Sequence, residues 1–271
     1  MTRIPQDRFM SDPIIGMQQW FETPPGRYLL AWERAEFARV VGDIFGYHAL
    51  QLGLPMLDAL ESNRMPHKWV AVQHSQGVLS AGGVEPALVT DFTALPFESN
   101  SIDLVVLPHS LELNVDPHAT LREVERVLVP EGKVVICCLN PASLWGLRQR
   151  RAHLYRRFGF GDLFLPDAGE FIGYWRLRDW LRLLSFEVES GTFGCYRPAM
   201  KTDKWLSRYD WLDGPGERWW PIFGAVYFIV AVKRVRGIKL IGKAWKTPAG
   251  ITAAPVPVTN RTPISYLEEN V

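Results

Sequence analysis

Residues 91–136, DFTALPFESNSIDLVVLPHSLELNVDPHATLREVERVLVPEGKVVI, limit the possible folds more than any other stretch. Ile102–Leu107 (IDLVVL) is a short apolar run, as a strand covered on both faces should read. Asp116-Pro117 is a helix start, with Asp as N-cap and Pro at the first helical position. The following segment puts Leu121, Val124, Val127 and Leu128 on one helical stripe and Arg122, Glu123, Glu125 and Arg126 elsewhere. Val129-Pro130-Glu131-Gly132 suits a type I turn, and Lys133–Leu139 (KVVICCL) reads as a second buried strand. Strand, helix and strand in this order form a βαβ unit whose two strands are parallel neighbours.

With 271 residues the chain can bury a full core without disulfides or metals. A formal net charge of +1 provides no global field toward nucleic acid or membranes. The three cysteines, Cys137, Cys138 and Cys195, include an adjacent pair inside a buried strand. They read as reduced thiols of a cytoplasmic protein, and no metal-ligand spacing is visible. The N-terminal MTRIPQDRFMSDP lacks a signal-peptide core. No run reaches the roughly 18 apolar residues of a membrane helix, so no transmembrane segment is expected. The nearest candidate, 219–232, is broken by Pro221 and Gly224.

The register of several short motifs then points further. Asp91, Leu95-Pro96-Phe97, Ile102-Asp103, His109, Leu111-Glu112, Asp116-Pro117 and Leu128-x-Pro130-x-Gly132 occur in order and at matching spacing. In this the chain resembles the class I S-adenosylmethionine-dependent methyltransferases of the type 11 group. The resemblance implies a Rossmann-like α/β fold, a doubly wound sheet of seven strands with the last antiparallel, preceded by an N-terminal helical extension. It also implies S-adenosylmethionine as cofactor, held at the carboxyl ends of the strands.

Taken in order, residues 1–26 are polar and Pro-rich and are expected to lie over the surface. Tyr28–Phe45 is the first helix, either a cap over the cofactor pocket or a helix packed on the sheet. Three segments are expected: 1–46 as extension and cap helix, 47–240 as the methyltransferase domain, and 241–271 as a basic, then disordered tail. Tyr47–Leu52 reads as the first strand. The turn after it, where the family has D-x-G-x-G-x-G and then a helix, here reads Gln51-Leu52-Gly53-Leu54-Pro55-Met56-Leu57. Gly53 keeps the first glycine, Gln51 stands for the acid, and Pro55 and Leu57 replace the others. A phasing on Gly42–Gly46 would break the first helix. Trp69–Gln73 is the second strand, with Gln73 where the family has a ribose-binding acid. Leu88–Asp91 is the third, with Asp91 for the adenine amino group and Phe92 against its ring.

By the resemblance, Gln51, Gly53, Leu54, Gln73, Asp91, Phe92, Leu107 and Pro108 are the cofactor-binding positions. His109, at the tip of the fourth strand, is the candidate catalytic residue, as base or substrate-orienting group. Its structural alternative is a plain core histidine. Glu112 reads as a turn cap. Residues 147–158 carry five arginines and no acid, and 233–246 carry six basic residues and no acid. Both could meet a nucleic acid or an anionic membrane. Phe164–Tyr174 could be a lid, Trp175–Leu184 is an amphipathic helix, and Phe186–Phe193 and Ala225–Val232 are the last two strands, with tryptophans crowding the connection. The expected function is methyl transfer to an acceptor that the motifs do not identify. A non-catalytic binding or regulatory protein on the same fold is the alternative, motivated by Pro55, Gln51 and Gln73.

Overall fold

The computed structural model describes residues 13–73, 83–156, 163–166 and 171–234. The expected basic segment beyond Arg234, the tail and residues 167–170 of the expected lid lie outside them, while Phe164, Leu165 and Ile172 of that segment are buried in the cores. Seven strands form one sheet: β1 (His48–Leu52), β2 (His67–Val72), β3 (Leu88–Val89), β4 (Ile102–Pro108), β5 (Leu128–Leu139), β6 (Phe186–Gly194) and β7 (Val226–Lys233). Their spatial order is β3-β2-β1-β4-β5-β7-β6. β1 pairs in parallel with β2 and β4, and β4 with β5. β7 is antiparallel to both neighbours. The chain order reverses between β1 and β4, so ligands are expected at the carboxyl ends near that switch point.

β4 and β5 are nearly continuous apolar runs because both sheet faces are covered. Alternate residues feed two cores. Leu104, Val106, Val135, Cys137 and Phe228 pack under α1 (Pro13–Phe21) and α2 (Pro24–Val41). Val105, Leu107, Val134, Ile136 and Tyr227 pack against α4 (Pro117–Val127) and α6 (Tyr174–Leu183). The Asp116 carboxylate caps α4 by accepting from the Ala119 amide at 2.9 Å, as its sequence requires.

Three local expectations change. The N-terminal segment is no surface strap: Met17, Trp20 and Phe21 of α1 are buried in the first core. Thr23 ends α1's turn and caps α2, whose first turn takes Pro24 and Pro25 where no backbone donor is needed. The turn at 129–132 bulges out of the β4–β5 ladder, and Glu131 at φ 64° excludes type I geometry. Between β1 and β2 the chain forms no α-helix at all, only turns over 53–66. Buried Leu54, Leu57, Ala59 and Leu60 of those turns, together with α2, cover the sheet where a crossover helix would otherwise lie.

Phe37 of α2 meets the Phe228 ring edge-on at 4.6 Å. Phe37→Ala should therefore cost about 3–5 kcal/mol, read as a lower urea midpoint with the far-UV spectrum kept.

Candidate functional site

The carboxyl end of β1 runs into a turn that is held from inside. Gln51 is fully buried. Its amide nitrogen donates to the carbonyls of Gly53 (3.1 Å), Leu54 (3.2 Å) and Leu57 (2.7 Å), and its oxygen accepts from the Ala59 amide at 2.9 Å. One side chain thus closes nine residues of loop, a task that needs an amide. Three carbonyls want a donor, and a carboxylate could only repel them. Gly53 adopts φ 81°, and a Cβ there would come within 2.9 Å of Ser110 Oγ. Ser110 Oγ in turn donates to the Leu52 carbonyl. Leu54 follows at φ 44°, in the left-handed region that few side-chain-bearing residues adopt.

Beside this turn, across the ends of β2 and β3, lies an open cleft of about 320 Å³. Gln73, Asp91, Thr93, Asn114, Val115 and Asp116 line it. That volume is at the small end of ordinary ligand sites, about 300–1,000 Å³. The Asp91 carboxylate is exposed and accepts from the Thr93 amide at 2.9 Å, which holds its pKa below the usual carboxylate value. It is therefore an anion ready to accept from a ligand amino group. Phe92 is buried in the second core, beside the glycine.

His109 sits at the tip of β4 with φ 54°. Its backbone amide still reaches the Cys137 carbonyl at 2.9 Å. The imidazole has no exposed surface. Nε2 donates to Glu33 Oε1 of α2 at 2.7 Å, and Nδ1 donates to Glu112 Oε1 in the one-turn helix α3 (Ser110–Leu113). Glu112 Oε2 accepts from the Leu139 amide at 3.0 Å, tying α3 to β5. Burial alone would lower the imidazole pKa, but the two carboxylates outweigh it and raise it to about 10. The Cys137 thiol donates to Glu33 Oε1 at 3.4 Å, and burial pushes its pKa well up. Glu33 Oε2 is buried without a hydrogen-bond partner among the described residues. Glu33, His109 and Cys137 bring three potential metal-ligand atoms within 4.8 Å of one another. The 2.7 Å His–Glu separation is that of a hydrogen bond, so the observed arrangement is an ion cluster.

The structure therefore sorts the expected positions into three places. Gln73 and Asp91 face the cleft. Gly53, Leu54 and Gln51 form the adjoining turn, where Gln51 works through the backbone. Leu107, Pro108 and Phe92 are buried in the core, and His109 is sealed under α2. Thr93 and Asn114 were missed by sequence reasoning, and neither carries a recognisable spacing. Glu33 was missed too, because nothing in a helix pattern links it to a residue 76 positions away.

Set against S-adenosylmethionine, the two ends of the site differ. The cleft offers two carboxylates, a hydroxyl and two amides to an adenosine group, so that half fits. The turn has left-handed backbone at Gly53 and Leu54, but both residues are buried, neither lines the cleft, and no helix N-terminus there faces a carboxylate.

Comparison with known proteins agrees with the topology. A methyltransferase-domain family model matches residues 56–136, leaving out residues 51–55 of the altered turn. An uncharacterised Escherichia coli protein, YafS, is 32% identical over 188 residues, covering 69% of this chain and 70% of that one. A demethylmenaquinone methyltransferase of Mycolicibacterium paratuberculosis is 36% identical over 89 residues, 32% of this chain and 39% of that enzyme. A solved S-adenosylmethionine-dependent methyltransferase from Thermotoga maritima superposes with a TM-score of 0.58 at 15% identity, covering 80% of this chain and 94% of its own. The last likeness is one of fold.

Two outcomes follow from the geometry. Gln51→Glu should destabilise the protein more than Gln51→Leu, each measured by denaturant titration, with the leucine variant losing at least about 1–3 kcal/mol for the groups left unpaired. The folded pKa of His109, about 10, lies above its ordinary 6.5. Its stabilising contribution is therefore full below about pH 6.5 and is lost as pH rises through about 10. Unfolding free energy measured from pH 6.5 to 10 should fall, and His109→Gln should flatten that slope.

Proposed function

The chain belongs to the class I S-adenosylmethionine-dependent methyltransferases, and we propose that it transfers a methyl group from that cofactor to an acceptor reaching the carboxyl ends of β4 and β5. The observation that carries this reading is the cleft at the switch-point end of the sheet, with the ionised Asp91 on its wall. Asp91 and Thr93 would hold the adenine, and Gln73 and Asn114 the ribose. The backbone of Gly53 and Leu54 would meet the methionine part. The cofactor supplies an electrophilic methyl group on a sulfonium sulfur. The chain's contribution is alignment of the acceptor with that methyl, a proximity effect.

His109 enters this proposal as a positioning residue. Both of its nitrogens are engaged, so it holds Glu33, and with it α2, over the end of β4. Action as a base would need Glu33 to withdraw first. The acceptor is unidentified. The basic α5 (Leu144–Arg156), which exposes leucines as well as arginines, favours an anionic membrane over nucleic acid as a macromolecular contact.

A second reading, a methyltransferase fold kept as a binding or regulatory module, is favoured by one observation: the β1–β2 connection has lost the helix whose N-terminus faces the cofactor carboxylate. Calorimetry with S-adenosylmethionine and S-adenosylhomocysteine separates the two. Micromolar binding supports the enzyme, and absence of binding to a folded protein supports the module. Asp91→Ala should weaken S-adenosylhomocysteine binding about 10- to 100-fold, the loss of a hydrogen bond to a charged group. Unchanged affinity would remove Asp91 from the site.

A further inference from the structure

α5 is built the wrong way round for an ordinary surface helix. Trp145, Gly146, Gln149 and Ala152 face the protein. At 100° per residue the opposite face carries Leu147, Leu154 and Leu144, with Arg150 and Arg151 among them, all exposed. The helix contains no acid.

A second element continues this face. Trp145 Nε1 donates to the Arg197 carbonyl at 2.7 Å, and Arg148 donates to the Ala199 carbonyl, so α5 lies against the connection from β6 to β7. That connection carries α7 (Asp203–Arg208) and α8 (Asp213–Trp219). Between the two elements runs an apolar groove of about 350 Å³, lined by Leu144, Leu147, Tyr196, Leu212, Trp220 and Phe223 among others. Around it Trp211 is 64% exposed, Trp219 71%, Trp220 55% and Phe223 53%. Side chains of this size at this exposure are costly in water, and Trp220 and Phe223 form one patch with the groove they line. The Asn140 side chain donates to the carbonyls of Ile222 (2.7 Å) and Gly224 (2.9 Å), which fixes the patch to the carboxyl end of β5.

Three of the acids around the patch are already paired. Asp203 pairs with Arg27 at 3.1 Å, and Asp210 and Asp213 pair with Arg197 at 2.5 and 2.9 Å. Asp203 and Asp210 stay exposed, and each of the three acids is matched by a cation of the same surface. Outward stand Arg150, Arg151, Lys204, Arg208 and Arg218, against the exposed Glu217. Tryptophan and leucine set among arginines and lysines is the composition of a surface that seats at a headgroup layer. The rings enter the boundary of headgroup and acyl chain, and the cations meet lipid phosphate. A nucleic-acid face would need the cations without the outward leucines. A protein partner would need no such excess of one sign.

We propose that α5 together with residues 203–223 docks this protein on the surface of a bilayer that carries anionic headgroups. The inference does not depend on methyl transfer, since none of these residues lines the cofactor cleft.

The test is co-sedimentation of the full chain with vesicles of phosphatidylcholine alone and of phosphatidylcholine with phosphatidylglycerol, at low and at physiological salt. Tryptophan emission is followed in the same samples. Binding to the anionic vesicles, weakened by salt and accompanied by a blue shift, is expected. The variant Trp219→Ala/Trp220→Ala/Phe223→Ala and the separate variant Arg150→Glu/Arg151→Glu should each lower the vesicle affinity at least tenfold. Circular dichroism and S-adenosylhomocysteine calorimetry should match the parent chain, which keeps this test apart from that of the cofactor site. No binding to anionic vesicles at low salt overturns the proposal. So does binding that both variants leave intact, which would place the contact elsewhere on the chain. A dimer seen by light scattering and lost in the triple variant would assign the face to a second copy and overturn it as well.

Discussion

The buried contact of His109 with Glu33 and Glu112 is the interaction on which the arrangement of this molecule turns. Two carboxylates and one imidazolium meet where no water reaches them. Breaking such a cluster by removing one member is strongly unfavourable, because an uncompensated charge stays behind. Glu33 comes from α2, His109 from the end of β4, and Glu112 from α3, which it also ties to β5. A single cluster thus fixes the N-terminal helices, the central strand pair and the turn at the switch point relative to one another. The cost is a left-handed backbone at His109 and a Glu33 oxygen without a hydrogen-bond partner among the described residues.

Holding α2 there has a consequence for the β1–β2 connection. In this fold a helix usually covers the sheet after β1, and its N-terminus faces the cofactor. Here α2 and the buried leucines of residues 54–60 cover that ground. The connection is closed by Gln51 as a set of turns. The amide at position 51 is a replacement that the turn demands, since a carboxylate would face three carbonyls. Under the proposed function, binding of the cofactor would fall chiefly to the Asp91 side of the cleft.

The opposite end of the sheet rim has another character. There the long β6–β7 connection and α5 leave tryptophans and leucines in solvent, bound to the sheet through Asn140. Polar cleft and apolar face lie along one edge, the carboxyl ends of the strands. Such an edge lets a bound nucleotide-like group and an apolar surface be approached from one side of the molecule.

The sequence by itself determined the sheet and its class. The apolar runs at 102–107 and 133–139, the Asp116-Pro117 cap and the stripe of Leu121, Val124 and Val127 are local signals, each read within a few residues, and all are present as expected. The seven strands with an antiparallel last member followed from the family resemblance and are seen. Asp91 and Gln73 were legible as cleft residues because they sit at strand ends, where direction is set by the strand itself. What only the tertiary structure decided depends on partners far apart in the chain. No pattern reveals that Glu33 meets His109, or that Gln51 turns inward to its own loop. Nor does any pattern show that Met17 and Phe21 fill a core while Leu147 does not. Helical periodicity gives the faces of an element but not which face is covered, because burial is a property of the neighbours that packing brings.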